Sequence, residues 1–344
     1  MRKTYHFCLS SHEEVMFRDE ADLAMGFNAF AIAALMTESR ALGENFLTTH
    51  YHSGVQTDSP KEFMFRMRTI YSRYFNAKYD RCGRLGEKRY FSLEVEGFYH
   101  MLTMLNYILR QGLHHGLVST PFEYKYGSVN SFFRSALGKT SSPELIADQH
   151  RYRHLPANVS IPPKYRMDKS GLLLREDILD TAYVEELYMT PRNFLFQMNK
   201  LTDEKDQYEQ KRENDTPPVT MGLLESGVVG FDLRQALIYE QGKVNRSQMT
   251  DLELCHVIDT QILPRYFKDY QKISVYALPT EKRARICEGL WRESRQTRYQ
   301  DGLRQSNFVV GTECNHPASA ERVTHYLGGK SVTENQLRRC LALL

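Results

Sequence analysis

The segment Thr49-His50-Tyr51-His52 places two imidazoles two residues apart. Side chains alternate faces along a strand, so in an extended chain His50 and His52 point one way and Tyr51 the other. Two imidazoles held on one face of a rigid strand make a bidentate metal site. An incidental His-x-His pair is the plainer reading of the same residues. A second constellation lies between Gly97 and Gln111. At about 100° per residue, Met101, Leu102, Leu105, Ile108 and Leu109 form one apolar stripe of a helix. Tyr107 falls roughly opposite that stripe, and Gln111 follows one turn later on the same face. A core tyrosine belongs within the stripe. A tyrosine outside it is a surface residue, a residue under a second layer, or a residue kept for chemistry.

The chemistry these residues could share is attack on a phosphodiester. A phenol, with a pKa near about 10, is a poor nucleophile at neutral pH. It attacks well only where a metal polarises the phosphate and stabilises the developing charge. His50, His52 and the Gln111 carbonyl oxygen would supply three ligands and leave positions open for phosphate oxygens. Attack by Tyr107 would leave a phosphotyrosine and a free 3′ hydroxyl. That linkage conserves the bond energy, so a strand can be resealed without ATP, and the sequence has no Walker motif. Oxygen-rich sites suit magnesium, imidazoles suit softer ions and manganese tolerates both. Mg2+ or Mn2+ is therefore the expected cofactor.

These side chains need a framework. Lys3 to Ser10 reads as a strand. Asp19 to Leu42 reads as a helix capped by Asp19, with Leu23, Phe27, Phe30, Ala34 and Leu35 as its apolar stripe. Asn45 to Thr57 reads as a strand broken near Gly54. Ser59 caps a helix through Tyr79, with Pro60 in its first turn and Phe63, Met67, Ile70 and Tyr74 facing inward. Gly83 to Glu96 reads as a turn and a strand, and Gly97 to Gly112 as the helix that carries Tyr107. This order predicts an α+β fold, an antiparallel sheet with helices packed on it. Further on, Pro156, Pro162, Pro163 and Pro191 interrupt mostly helical patterns, and residues 201–220 are polar and charged. The expected organisation is a catalytic domain over 1–140, a proline-interrupted helical connector and charged linker over 141–220, and a helical domain over 221–344.

The length of 344 residues fits two domains, and the formal net charge of +3 selects no partner. Local charge is more informative. Residues 61–90 hold nine basic side chains against three acidic ones, interleaved with Tyr71, Tyr74, Phe75, Tyr79 and Tyr90. Such a patch suits a phosphate backbone with stacking bases; a solvated helix face followed by a basic loop is the alternative. Arg66 and Arg73 lie on nearly one line of a helix and, with Lys88 and Arg89, are the expected phosphate contacts. The six cysteines are scattered without a C-x-x-C pair, and Cys314 with His316 lacks a matching second half. Reduced thiols in the cytoplasm are expected rather than a zinc site. The N-terminus does not read as a signal peptide, and no apolar run approaches a membrane span.

Taken in order, several segments resemble the single-tyrosine transposases of the HUH superfamily, and most closely the REP-associated tyrosine transposases. Asn45-Phe46-Leu47-Thr48-Thr49-His50-Tyr51-His52 stands where that family has its strand and His-hydrophobic-His motif. Ile70-Tyr71-Ser72-Arg73-Tyr74-Phe75-Asn76-Ala77-Lys78-Tyr79 resembles its helix leading into the Arg81-Cys82-Gly83 turn. Lys88-Arg89-Tyr90 resembles its Arg-Tyr strand. Leu105-Asn106-Tyr107-Ile108 with Gly116-Leu117-Val118 resembles its catalytic-tyrosine helix and exit. The match covers about residues 3–135.

The resemblance implies a HUH domain on a ferredoxin-like antiparallel sheet. It implies His50, His52 and Gln111 as metal ligands and Tyr107 as nucleophile. The implied activity is metal-dependent nicking and rejoining of single-stranded or hairpin DNA in DNA transposition, through a 5′-phosphotyrosine. Two departures stand out. Gln111-Gly112 replaces the family's Asn-Pro, which keeps a carbonyl ligand but alters the helix end. Thr48-Thr49 replaces a Pro-Asn or Pro-Glu pair before the first histidine. A looser echo spans residues 278–344. There Leu278 to Arg283 would start a helix, and Ala318 to Leu327 and Val332 to Leu343 would flank Gly328-Gly329. That is a DNA-binding helix-turn-helix carrying Arg338 and Arg339, or a plain helical packing domain. The rival functions are a relaxase or rolling-circle initiator of the same chemistry, and a non-catalytic hairpin-DNA-binding regulator that kept the fold. A homodimer and a monomer are both open.

Overall fold

The computed structural model describes residues 2–11, 14–156, 159–200, 204–214, 216–228, 233–244, 249–267, 274–290 and 332–341. The chain divides into two compact units. The first comprises Met1–His12, Glu20–Phe75 and Gly83–Val244; the second comprises Glu13–Asp19, Asn76–Cys82 and Asn245–Leu344.

The first unit is built on β1 (Lys3–Ser10), α1 (Glu20–Met36), β2 (Arg40–Phe46), β3 (His50–Thr57), α2 (Pro60–Lys78) as far as Phe75, and β4 (Phe91–Val95). The four-stranded sheet has the order β2-β3-β1-β4 and is antiparallel throughout. Each β-α-β unit therefore straddles a strand of the other, a split arrangement that interleaves the two. The class is α+β, as the element order predicted.

Two boundaries differ from the sequence reading. The first helix stops at Met36, and Arg40 already begins a strand. A tight turn intervenes: Glu38 adopts a left-handed φ of 51°, and Ser39 N donates to the Ala34 carbonyl at 2.8 Å. The Ser39 hydroxyl donates to Thr57 Oγ1 and lies 2.7 Å from Thr37 Oγ1, which fastens that turn to the sheet. The strand break falls at residues 47–49, where Leu47 N donates to the His50 carbonyl at 2.8 Å. Strand β3 runs on through Gly54, which pairs with Gly43 where the β2–β3 ladder shifts register between Ala41 and Gly43.

The two faces of the sheet are covered differently. On one, Phe7 stacks on Phe63 at 5.5 Å, Phe30 meets Phe63 edge-on at 5.8 Å, and the Tyr51 hydroxyl donates to Met64 Sδ at 3.3 Å. That face carries α1 and α2. The other face carries α3 (Phe98–Leu109), followed directly by α4 (Gln111–His114). Gly43 and Gly54 lie beneath α3. A Cβ at Gly54 would come within 3.0 Å of Met104 and 3.6 Å of Leu105, so the bare backbone there sets the close approach.

Beyond α4 come α5 (Arg175–Ile178), α6 (Thr181–Tyr188), α7 (Pro191–Asn199), α8 (Glu204–Glu213), α9 (Met221–Leu224) and α10 (Leu233–Tyr239). Of these, α6 to α9 pack against α3. The Glu213 carboxylate accepts from the backbone N–H groups of Phe98 and Tyr99 and so caps α3. The Tyr188 hydroxyl donates to Asn106 Oδ1 at 2.8 Å. With cover on both sides, α3 buries His100, Leu102, Met104, Leu105, Tyr107, Ile108 and Leu109. The one-sided stripe read from the sequence is therefore only half of its apolar contact, and Tyr107 lies under a second layer.

The second unit has its own apolar core, which includes Leu254, Cys255, Ile258, Leu290, Leu337 and Leu341. Its helix α11 (Asp251–Val257) begins with a reciprocal capping box between Thr250 and Glu253. Helices also run over residues 280–290 and Glu334–Leu341. Arg18 is buried in an ion pair with Asp259 at 2.7 Å, over the rings of Tyr79 and Tyr276. Cys8, Cys82, Cys255 and Cys340 are free thiols. Cys314, His316, Ala318 to Leu327 and Gly328-Gly329 lie outside the described residues. Among the described residues, no helix is long and apolar enough to cross a membrane.

Candidate metal centre and nucleophile

Strand β3 delivers both of its histidines to the α3 face of the sheet. The rings of His50 and His52 stand 5.1 Å apart and nearly perpendicular. Tyr51 points to the opposite face and stacks on Phe46, as strand alternation requires. A third histidine joins them from β1. His6 lies opposite Gly54 in the ladder, and its Nε2 is 3.0 Å from His52 Nδ1.

Helix α3 contributes Tyr107, whose hydroxyl is 3.5 Å from His52 Nε2 and whose ring meets the His52 imidazole edge-on. One turn later, Gln111 Nε2 donates to the Tyr107 backbone carbonyl at 3.3 Å, and its buried Oε1 has no hydrogen-bond donor. Gly112 leaves room for the Tyr124 ring, which a Cβ there would meet at 2.5 Å. Tyr124 in turn donates its hydroxyl to the Phe46 carbonyl at 2.7 Å and ties this turn to the sheet.

The acidic member comes from far along the chain. Thr220 caps α9 by accepting from Leu223 N at 3.2 Å, and Met221 and Leu224 are buried. The helix end thus pinned turns Glu225 inward. Its Oε1 lies 3.7 Å from both His52 Nε2 and His115 Nε2. The ligand atoms of His50, His52 and Glu225 all fall within 4.8 Å of one another, and this group could hold a metal ion.

The donor set fits a cation. Neither Glu225 oxygen has a hydrogen-bond donor, although the residue is only 1% exposed. Burial drives His52 well below the usual imidazole range and His6 down to about 3, so both are neutral near pH 7. For Glu225, the upward push of burial is outweighed by His115, His52 and His50, which hold it below the usual carboxylate range. Neutral imidazoles beside an ionised carboxylate are what a divalent cation takes as ligands. Burial, and then the Glu225 charge, push the Tyr107 phenol well above its ordinary value.

A second buried cluster adjoins the first. His114 Nδ1 is 2.7 Å from Glu240 Oε1, and Arg110 is 3.4 Å from Glu240 Oε2. The His114 ring also stacks on Tyr107 at 5.3 Å. The Tyr239 ring rests on Gly116, whose φ of 64° and missing Cβ both suit that contact. The Ser10 hydroxyl donates to the Gly227 carbonyl at 2.5 Å. These contacts hold the α9–α10 segment over the histidines. Tyr107 is 4% exposed beneath it, and Gln111 is fully buried.

The structure thus brings His50, His52, Tyr107 and Gln111 together. The expected phosphate contacts are dispersed. Arg66 pairs with Glu62 at 2.6 Å on α2. Arg73 lines a cavity of about 580 Å³ with Tyr74, Arg153 and His154. Lys88 and Arg89 are exposed in the turn before β4. In the second unit, Arg338 is exposed and Arg339 lies 3.4 Å from Asp251. Sequence reasoning missed His6, His114, His115, Glu225 and Glu240. His6 is a polar residue in an apolar strand, and His114-His115 follow Gln111 within a turn, so both were findable. Glu225 and Glu240 carry no local signal.

No family model matches the chain, and no curated protein matches it significantly. Among solved structures, the chain is similar to that of a REP-associated tyrosine transposase bound to a REP hairpin. The identity is 11%, the match covers 41% of this chain and 82% of that chain, and the TM-score is 0.34.

Proposed function

We propose that this chain is a metal-dependent endonuclease and strand transferase for single-stranded DNA, acting in DNA transposition on hairpin or repeat-associated substrates. The observation that carries the reading is the Tyr107 hydroxyl beside His52, within a buried group of two strand histidines and a carboxylate. The β1-to-β4 topology, which is ferredoxin-like, supports a HUH-type site on this sheet.

His50, His52 and Glu225 would hold Mg2+ or Mn2+, with Gln111 Oε1 as a further ligand; the imidazoles favour Mn2+. Bound there, the cation would polarise the phosphate and stabilise charge on its oxygens. His6 orients His52. With Nε2 turned to the cation, His52 carries its proton on Nδ1 and donates it to His6 Nε2. The Tyr107 oxygen attacks phosphorus, the bond from phosphorus to the 3′ oxygen breaks, and the phenolic proton ends on that 3′ oxygen. The products are a 5′-phosphotyrosine and a free 3′ hydroxyl, and attack by such a hydroxyl reverses the step and joins strands. Lys88, Arg89, Arg66 and Arg73 are proposed phosphate contacts of the first unit, and Arg338 and Arg339 are proposed phosphate contacts of the second.

One observation favours a second reading. Tyr107 is 4% exposed, and a strand reaches it only if the chain around Glu225 moves. A hairpin-DNA-binding regulator without catalysis would have no need of that movement. Covalent capture of labelled DNA by the wild type, with Mn2+ present, separates the two.

A further inference from the structure

One side of α2 repeats Lys61, Phe65, Arg68, Thr69 and Ser72, a spacing that aligns them along the helix. Arg84 and Tyr90, from the turn before β4, complete a cleft of about 410 Å³. Its lining holds three cations, two aromatic rings and three hydroxyls, and no carboxylate. Glu62, on the adjoining face of the helix, is engaged by Arg66.

The cleft is preorganised. The Arg68 guanidinium donates to the Glu87 and Lys88 carbonyls at 2.8 and 3.3 Å. The Tyr90 ring is backed by Phe7, edge-on at 6.1 Å. Phe65 remains 59% exposed, a large apolar ring among cations. The cleft lies on the α1–α2 side of the sheet, whereas the histidines face α3.

We propose that this cleft takes one unpaired nucleotide of a DNA strand, with its phosphate on Lys61, Arg68 and Arg84 and its base on Phe65 and Tyr90. A guanidinium already fixed in place, as that of Arg68 is, matches phosphate oxygens at low entropic cost. Every base offers a face for an aromatic ring, but only an unpaired base leaves that face free. The volume lies in the range that encloses a small ligand. The site anchors a strand away from the cutting chemistry. It rests on the reading of the chain as a single-stranded-DNA protein, but not on cleavage.

The test is fluorescence anisotropy with a labelled oligothymidylate of about eight nucleotides, in EDTA, over a series of salt concentrations. Phe65→Ala removes only surface and should weaken binding by about 5- to 100-fold, while Phe65→Trp should retain it. Arg84→Gln should flatten the slope of log affinity against log salt by about 0.7. A duplex of the same length should bind both Phe65 variants and the wild type alike. Wild-type affinity in Phe65→Ala, or an unchanged slope in Arg84→Gln, would overturn the proposal. So would an equal loss on the duplex, or an oligouridylate bound more tightly than the DNA. Weakened binding by Phe65→Ala, together with a wild type that forms no covalent adduct, would leave the cleft standing and remove the cutting activity. Unchanged binding together with an adduct would do the reverse.

Discussion

The Tyr107 hydroxyl stands 3.5 Å from Nε2 of His52, across 55 residues of chain. Glu225 approaches the same nitrogen at 3.7 Å from much further along. Two elements distant in sequence thus converge on one imidazole of a third.

Glu225→Gln keeps the shape of the side chain and removes its charge. Titration calorimetry with Mn2+ should show a loss of affinity greater than the about 10- to 100-fold typical of outer partners. Without metal, the same variant should melt no higher than the wild type, because the surrounding histidines favour the ionised carboxylate in the folded chain. Unchanged metal affinity would take Glu225 out of the site.

In the proposed site His6 acts through His52. His6→Phe keeps a ring in the same space but removes the acceptor for the His52 Nδ1 proton, and should lower Mn2+ affinity by about 10- to 100-fold. His6→Gln can still accept that proton and should recover most of it. Equal affinities in both variants and the wild type would make His6 a packing residue only.

Acid should unfold the first unit early. Burial lowers His6 to about 3 and also lowers His52 and His114. The unfolded chain takes up these protons near about pH 6.5, while the folded chain resists them. The contribution to stability is therefore fully present above that pH and is lost as pH falls toward about 3. Each histidine contributes up to about 1.4 kcal/mol per pH unit in that window. Denaturant titrations in EDTA at several pH values should show the decline, and a flat profile from about pH 7 to about pH 4.5 would contradict the neutral buried histidines.

The sheet and the helices around it were legible because strand alternation and helical stripes are local signals. His50, His52 and Tyr107 were legible for the same reason. The β1-α1-β2 boundary was not. The apolar residues Ala41 and Leu42 continue a helical pattern past a turn set by Glu38 and by hydroxyls that meet only in the fold. Nor was the burial of Tyr107, which depends on α6 to α9 returning to cover α3. Glu225 follows a short Thr220-capped helix, and nothing within ten residues of it marks a ligand. Only the return of that segment over β3 makes it a candidate.

The central claim is that Tyr107 is the nucleophile. Labelled hairpin DNA with single-stranded flanks, incubated with the protein and Mn2+, is resolved by denaturing electrophoresis. The wild type should retain label as a covalent adduct and release a strand with a 3′ hydroxyl. Tyr107→Phe removes one oxygen from a buried ring, should fold and bind DNA as the wild type does, and should form no adduct. An adduct of equal yield in Tyr107→Phe, or none in the wild type across flanking sequences, would contradict the account.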